Sequence, residues 1–132
     1  MLPTVRHIDH INATVANLDD AIAFYAKVFG FVTVERVDKN PRWCVLRAAD
    51  ALLCLHEAPL DRPRRVPREL AICHFGLRIA GRPEDFRAHL VRVDVPIALD
   101  LEYPHSKSVY VKDPTGHLIE VAFWKDDVMR FG

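Results

Sequence analysis

The sequence predicts an α+β fold in which one module, a strand followed by a helix and three further strands, occurs twice. Three observations lead to this prediction. Half of the 132 residues are apolar, which is ample for a packed core. Strand-like and helix-like hydrophobic patterns follow in the same order in both halves. A proline- and arginine-rich stretch, residues 59–68, divides them as a linker. We therefore expect a single domain, residues 1–132, with modules at residues 7–58 and 69–125.

The first module is predicted to begin with a strand over residues 7–15. Asn17 is suited to cap a helix over residues 18–29, because its side-chain oxygen can accept a backbone N–H of the first turn. Gly30 follows this helix and favours the left-handed conformation in which helices end. Three strands complete the module: residues 31–37, 42–49 and 51–58.

The second module repeats this order. A strand is predicted over residues 70–79, and a helix over residues 81–93 carries Pro83 near its first position. Residues 113–116, Asp-Pro-Thr-Gly, are typical of a tight turn before the last strand. The three strands of this module are residues 96–102, 108–112 and 117–124.

Side-chain alternation gives the first, fifth and last predicted strands two different faces. One face of each strand is apolar and suited to packing under a helix. The reverse face carries a histidine or a glutamate among small, polar or aromatic neighbours: His10, His74 and Glu120. The two histidines occupy the same place in their modules, shortly before the helix. If the reverse faces line a cavity, these three side chains can converge there.

A divalent cation would explain this convergence. A carboxylate buried without a partner costs several kcal/mol, and two imidazoles with one carboxylate form a facial triad that leaves coordination positions open. The sequence therefore predicts one metal ion held by His10, His74 and Glu120. The alternative is that each histidine is a hydrogen-bonded core residue and that Glu120 is a half-exposed sheet residue.

Composition excludes several classes of partner. Lys plus Arg equals Asp plus Glu at 18 each, so no net charge attracts nucleic acid or anionic lipid. No stretch approaches the roughly 20 apolar residues of a membrane span. The N-terminus lacks the pattern of a signal peptide. Three cysteines fit neither a disulfide framework nor a zinc finger. We expect a cytoplasmic protein with a small-molecule substrate.

Two segments resemble the vicinal oxygen chelate superfamily, which includes glyoxalase I, fosfomycin-resistance thiol transferases, bleomycin-resistance proteins and extradiol dioxygenases. These are "DHINATVANLDDAIAFYAKVFGF" near the start and "SVYVKDPTGHLIEV" near the end. The resemblance implies paired βαβββ modules that form a curved mixed sheet around a metal cavity. It also implies a homodimer, in which His10 of one chain can serve with His74 and Glu120 of the other.

Within this superfamily the resemblance differs between subfamilies. Glyoxalase I usually adds a glutamate ligand on the fourth strand of the first module, where alignment of "ALLCL" with "HLIEV" places Cys54. The fosfomycin enzymes carry a threonine where this chain has Asn12, so fosfomycin is not the expected substrate. Cys54 remains open between a soft metal ligand and a small buried side chain.

The dioxygenases use iron(II), a histidine beside the open coordination position and a tyrosine near the last strands. His105 and Tyr110 match these roles, as a group that can take a phenolic proton and a hydroxyl that can hold a substrate oxygen. The leading prediction is an iron(II)-dependent extradiol-type dioxygenase. The alternatives are a thiol transferase, lyase or isomerase with Mn²⁺, Zn²⁺ or Ni²⁺, and a metal-free drug-binding protein. The predicted substrate contacts are Asn12, Cys54, His56 and Trp124.

Overall fold

The computed structural model describes residue 1, residues 3–59 and residues 72–125. These residues belong to two compact units, the first within residues 1–59 and the second within residues 72–125. Each unit consists of a strand, a helix and three strands, so the predicted α+β class and the repeated βαβββ order are confirmed. Apart from residue 59, the predicted linker lies outside the described residues.

The first unit forms a four-stranded mixed sheet in the order β1-β4-β3-β2. Strand β1 runs parallel to β4, and the remaining neighbours are antiparallel. Its elements are β1 (Ile11–Val15), α1 (Leu18–Phe29), β2 (Val32–Val37), β3 (Trp43–Ala48) and β4 (Ala51–Glu57).

Helix α1 begins and ends where its sequence signals predict. The Asn17 side chain accepts the Asp20 N–H at 3.0 Å, which satisfies one of the unpaired donors of the first turn. Gly30 adopts φ +74° and donates its N–H to the Ala26 carbonyl at 3.0 Å. Its left-handed conformation stops the helix at little steric cost, because glycine has no Cβ.

The core of the first unit lies between α1 and one face of the sheet. Tyr25 of the helix is fully buried, as are Val15 and Leu55 of the parallel strand pair. Val15 has the opposite parity to His10, as predicted for the apolar face of the first strand. The reverse face of the sheet is thus left to carry the polar candidate residues.

The second unit repeats this topology in the order β5-β8-β7-β6, with β5 parallel to β8. Phe86 of its helix packs on Phe123 of the last strand, with ring centroids 5.9 Å apart. Ile119 and Val121 are fully buried on the same strand face. Its elements are β5 (Phe75–Arg78), α2 (Pro83–Arg92), β6 (Leu99–Glu102), β7 (Ser106–Lys112) and β8 (Leu118–Trp124).

The two strands predicted to contain the candidate histidines, β1 and β5, begin later than predicted. The parallel ladder of β1 begins at Ile11 and that of β5 at Phe75, because their partners pair only from those residues onward. His10 and His74 therefore each immediately precede a strand instead of lying inside one. Neither helix among the described residues has the length and apolar character needed to cross a bilayer.

Candidate functional site

The second unit brings together two of the predicted metal ligands. His74 Nε2 lies 3.0 Å from Glu120 Oε2. Parallel pairing of β5 with β8 sets Gly76 opposite Glu120, so the residue just before β5 is close to the carboxylate. The side chains are partly accessible, with exposed fractions of 39% for His74 and 20% for Glu120.

The other oxygen of Glu120 is held by a buried serine. Ser108 Oγ donates a hydrogen bond to Glu120 Oε1 at 2.7 Å, and Ser108 is fully buried. Hydrogen bonds to charged acceptors are shorter and stronger than neutral ones. The carboxylate is thus fixed at one oxygen by β7 and faces the imidazole with the other.

Tyr110 lies against this pair. It is the register partner of Glu120 in the antiparallel β7–β8 ladder, and its ring lies 5.7 Å from the His74 ring, edge to face. Its hydroxyl is 3.2 Å from the hydroxyl of Tyr103. Burial raises the pKa of Tyr110, and the Tyr103 hydrogen bond and the negative charge of Glu120 raise it further. Tyr110 is therefore a protonated phenol at neutral pH.

Glu120 and Tyr103 line a cleft of about 750 Å³, a size that suits a small ligand. His105 is exposed and lines it, as does Trp124, whose ring lies 4.7 Å from the guanidinium carbon of Arg78. The lining consists of Gly76, Leu77, Arg78, Tyr103, Pro104, His105, Ser106, Glu120, Ala122 and Trp124.

The first unit carries the remaining predicted site residues. His10 Nδ1 lies 2.7 Å from Asp9 Oδ2, and its side chain is 47% exposed. Asn12 Oδ1 lies 2.8 Å from His56 Nδ1, a contact across the β1–β4 pair. The His56 ring stacks on Trp43 with centroids 6.1 Å apart. The structure therefore joins Asn12 and His56 into one hydrogen-bonded pair.

Cys54 takes the place in the first unit that Glu120 takes in the second. Asn12 pairs with Cys54 as Gly76 pairs with Glu120, which agrees with the alignment of the two strand sequences. Burial raises the pKa of the Cys54 thiol. At neutral pH this position therefore bears a neutral thiol where the second unit bears a carboxylate.

The complete three-ligand set stays a prediction. Within residues 1, 3–59 and 72–125, no group of three or more His, Cys, Asp or Glu side chains is placed to hold a metal ion. His74 and Glu120 do fit a divalent cation, because an imidazole nitrogen and a carboxylate oxygen face each other beside a cleft. A third ligand must come from elsewhere, and His10 belongs to the other unit.

Three contributors to this site were missed from the sequence. Ser108 shares strand parity with Tyr110, so alternation could have placed it near Glu120. Arg78 follows His74 by four residues, which is the same signal on β5. Tyr103 gave no signal, because its contact with Tyr110 depends on the path of the chain between β6 and β7.

Comparison with known proteins extends this description. The chain is 27% identical over 128 residues to a virulence protein of Salmonella typhimurium, covering 89% of this chain and 84% of that protein. The crystal structure of that protein superposes with a TM-score of 0.71 at 21% identity, covering 92% of this chain and 99% of that one.

Two further crystal structures share the fold. Lactoylglutathione lyase from Agrobacterium tumefaciens gives a TM-score of 0.72 at 22% identity, covering 96% of this chain and 100% of that one. A fosfomycin resistance protein from Listeria monocytogenes gives 0.69 at 16% identity, covering 91% and 94%. The sequence profile of one family matches residues 7–121, nearly the whole chain. The chain belongs to the Glyoxalase/Bleomycin resistance protein/Dioxygenase superfamily.

Proposed function

We propose that this protein is a divalent-metal-dependent enzyme that acts on a small substrate bearing two adjacent oxygen atoms. The observation that carries the proposal is the His74–Glu120 pair, whose ligand atoms face each other 3.0 Å apart beside the cleft. Membership of a superfamily that includes dioxygenases and glyoxalases supports it.

His74, Glu120 and His10 would hold the metal. Two imidazoles and one carboxylate suit Fe²⁺ and also Mn²⁺, Zn²⁺ or Ni²⁺. When bound, such a cation supplies Lewis acidity that polarises a substrate oxygen. Ser108 orients the carboxylate by its hydrogen bond to Oε1, which leaves Oε2 facing His74 as the oxygen for the metal.

The neighbouring residues can bind the substrate and move protons. Tyr110 is held protonated beside the ligand pair, so its hydroxyl can donate a hydrogen bond to a substrate oxygen. His105 lines the cleft, and a neutral imidazole can accept a proton from a phenol. Trp124 provides an apolar wall.

The leading reaction is extradiol-type oxygenation of a catechol with iron(II). The supporting observation is that His105 lines the cleft and that the Tyr110 ring lies against His74. The second candidate is a reaction without oxygen, such as a lyase or thiol transfer step. Likeness to lactoylglutathione lyase and to a fosfomycin resistance protein favours this second candidate.

Metal loading tests the proposal first. We expect the purified protein to bind one divalent ion per site. His74→Ala and Glu120→Gln should each lower the affinity by at least about 100-fold, because each removes a direct ligand. His7→Ala, at an exposed position, is the matched control and should load normally. Unchanged loading in both site variants, measured by elemental analysis with folding checked by circular dichroism, would refute the assignment.

Mixing two inactive variants tests whether the site is shared between chains of a homodimer. His10→Ala and His74→Ala chains each lack one ligand. If the ligands come from different chains, exchange of subunits regenerates intact sites and restores part of the metal binding. If all three ligands come from one chain, the mixture stays empty. A monomeric mass by light scattering would rule out the shared arrangement.

Oxygen uptake discriminates between the reactions. We expect uptake when the iron(II)-loaded protein meets a suitable catechol, and none with Glu120→Gln. No uptake across a broad catechol panel would remove the dioxygenase. Turnover of lactoylglutathione or fosfomycin with Mn²⁺, Zn²⁺ or Ni²⁺ would then establish the second candidate. Ligand binding without any metal dependence would instead indicate a binding protein of the bleomycin-resistance kind.

A further inference from the structure

Besides Glu120, which contacts His74, the cleft of the second unit is lined by an arginine and a tryptophan that contact each other. Arg78 and Trp124 both line it, with the guanidinium carbon 4.7 Å from the centroid of the indole ring. A guanidinium packed on an aromatic ring is positioned by that contact, and its N–H donors lie in its own plane, in a fork that matches a carboxylate. The pair therefore has the chemistry of an anion-binding group.

A strip without large side chains lies between the two polar pairs. His74, Gly76 and Arg78 alternate along one edge, and positions two apart are about 7 Å from each other on the same strand face. Strand β8 also alternates polar and small residues on this face but is shifted by two residues, so that Gly76 lies opposite Glu120 and Arg78 opposite Ala122. The order along β8 is a polar residue, a small residue and an aromatic residue: Glu120, Ala122 and Trp124.

Charge is also separated along this strip. Among the cleft-lining residues that the structure describes, Glu120 is the sole carboxylate, and it is engaged by Ser108 and His74. Arg78 lies two strand positions further along. A ligand anion beside Arg78 therefore avoids the close repulsion that it would meet beside Glu120.

We propose that Arg78 and Trp124 bind a carboxylate group of the substrate, and that Arg78 determines specificity for anionic substrates. This inference rests on the proposed function, which places the two adjacent substrate oxygens at the His74–Glu120 end. A flat ring fits the strip, because Gly76 and Ala122 have no bulky side chain to fill it and Trp124 offers an aromatic surface. The substrate class is a small aromatic carboxylate with vicinal hydroxyl groups.

Two matched probes test this inference. We would measure binding of 3,4-dihydroxybenzoate and its uncharged methyl ester by anaerobic titration calorimetry, with EDTA and with Mn²⁺. We expect the acid to bind at least about tenfold more tightly than the ester in both conditions, because one charge-assisted hydrogen bond is worth that factor. Arg78→Met should reduce the ratio to about one, whereas Arg78→Lys should keep part of it because it retains the charge but not the planar fork.

Arg82→Met is the control, because Arg82 is highly exposed, pairs with Asp85 and does not line the cleft. It should leave the ratio unchanged. Equal binding of acid and ester by the wild-type protein, binding of neither, or a ratio that survives Arg78→Met would each overturn the inference. The titrations with Mn²⁺ test the metal-dependent function separately. If Mn²⁺ tightens neither probe while the acid preference persists, the metal-dependent function fails and the role of Arg78 stands.

A variant of Ala122 tests, independently of charge, whether the ligand lies on the strip. Ala122→Leu should fill the strip between the two polar pairs and weaken both probes by at least about tenfold, while the arginine itself is retained. Unchanged binding of both probes to a folded Ala122→Leu protein would show that the ligand does not lie on this strip. Circular dichroism of each variant establishes that it is folded.

Discussion

The two units order their strands identically but place different chemistry at corresponding positions. In the first unit Cys54 faces Val45 across the antiparallel ladder. In the second unit the corresponding pair is Glu120 and Tyr110. A thiol that burial keeps neutral sits opposite an aliphatic side chain in one case, and a carboxylate sits opposite a phenol in the other.

The difference shows that a carboxylate at this position of the sheet is accompanied by polar neighbours that contact it. Glu120 is supported by the Ser108 hydroxyl and the His74 imidazole. The strand of the first unit that corresponds to β8 is β4, and its carboxylate, Glu57, has a different role. Glu57 accepts the Leu18 N–H at 2.8 Å at the start of α1 and pairs with Arg42. Glu57 of the first unit thus stabilises the start of a helix, whereas Glu120 of the second unit lines a cleft.

The turns before the last strand of each unit provide the largest predicted contrast. Asp113 is buried, and its Oδ1 accepts the backbone N–H groups of Thr115, Gly116 and His117 at 2.8–3.0 Å. Asp113→Ala leaves these donors without that acceptor and should lower the free energy of unfolding by about 3 kcal/mol. Urea denaturation measures this as a lower midpoint with an unchanged slope.

The first unit supplies the control for that measurement. Its hairpin turns within two residues, Ala49 and Asp50, closed by the pairing of Ala48 with Ala51. Asp50 is exposed, so Asp50→Ala should change stability by no more than about 0.5 kcal/mol. Similar losses for both aspartates would contradict the contrast between the turns.

A smaller effect is expected from the support of Glu120. Ser108→Ala removes the hydroxyl that fixes Oε1 but keeps the strand, so we expect metal affinity to fall by about tenfold with the fold intact. Titration with Mn²⁺ measures this. Cys54→Ala, at the corresponding position to Glu120, is the matched variant in the first unit. If Cys54→Ala weakens metal binding as much as Ser108→Ala does, Cys54 is itself part of the metal site.

Local signals made the helices and their caps predictable. Asn17, Gly30 and the apolar spacing of α1 all act within a few residues of each other, and the structure confirms them. Strand alternation likewise predicted that His74 and Glu120 share a face. Their contact could be predicted because β5 and β8 are neighbouring strands and because the module order is repeated.

Contacts made by side chains from distant loops were not predictable in this way. Strand starts depend on where a partner strand begins to pair, which moved His10 and His74 just outside β1 and β5. Tyr103 reaches Tyr110 from beyond the end of β6. Asp9 beside His10 was missed for a different reason, because neighbours along a strand normally point to opposite faces.

The smallest predicted effect is a difference between the two units in how their stability depends on pH. His117 Nδ1 lies 2.7 Å from Asp113 Oδ2, and this hydrogen bond raises the pKa of His117 above its ordinary value of 6.5. The stabilisation is fully present below the unfolded-state pKa and is lost as the pH rises through the higher folded-state pKa. Glu57 behaves oppositely, since Arg42 and the Leu18 N–H lower its pKa and its stabilisation is lost in acid.

We therefore expect His117→Gln to remove the loss of stability that sets in as the pH rises above the ordinary histidine pKa of 6.5, and to leave the acid side unchanged. Glu57→Gln should flatten the acid side alone. Urea midpoints measured from acid to alkaline pH give both slopes, and each effect should be well below that of Asp113→Ala. His117 lies on the β7–β8 turn, whereas Glu57 ends β4 and contacts the start of α1. An alkaline slope that persists in His117→Gln would mean that another group of the protein titrates there.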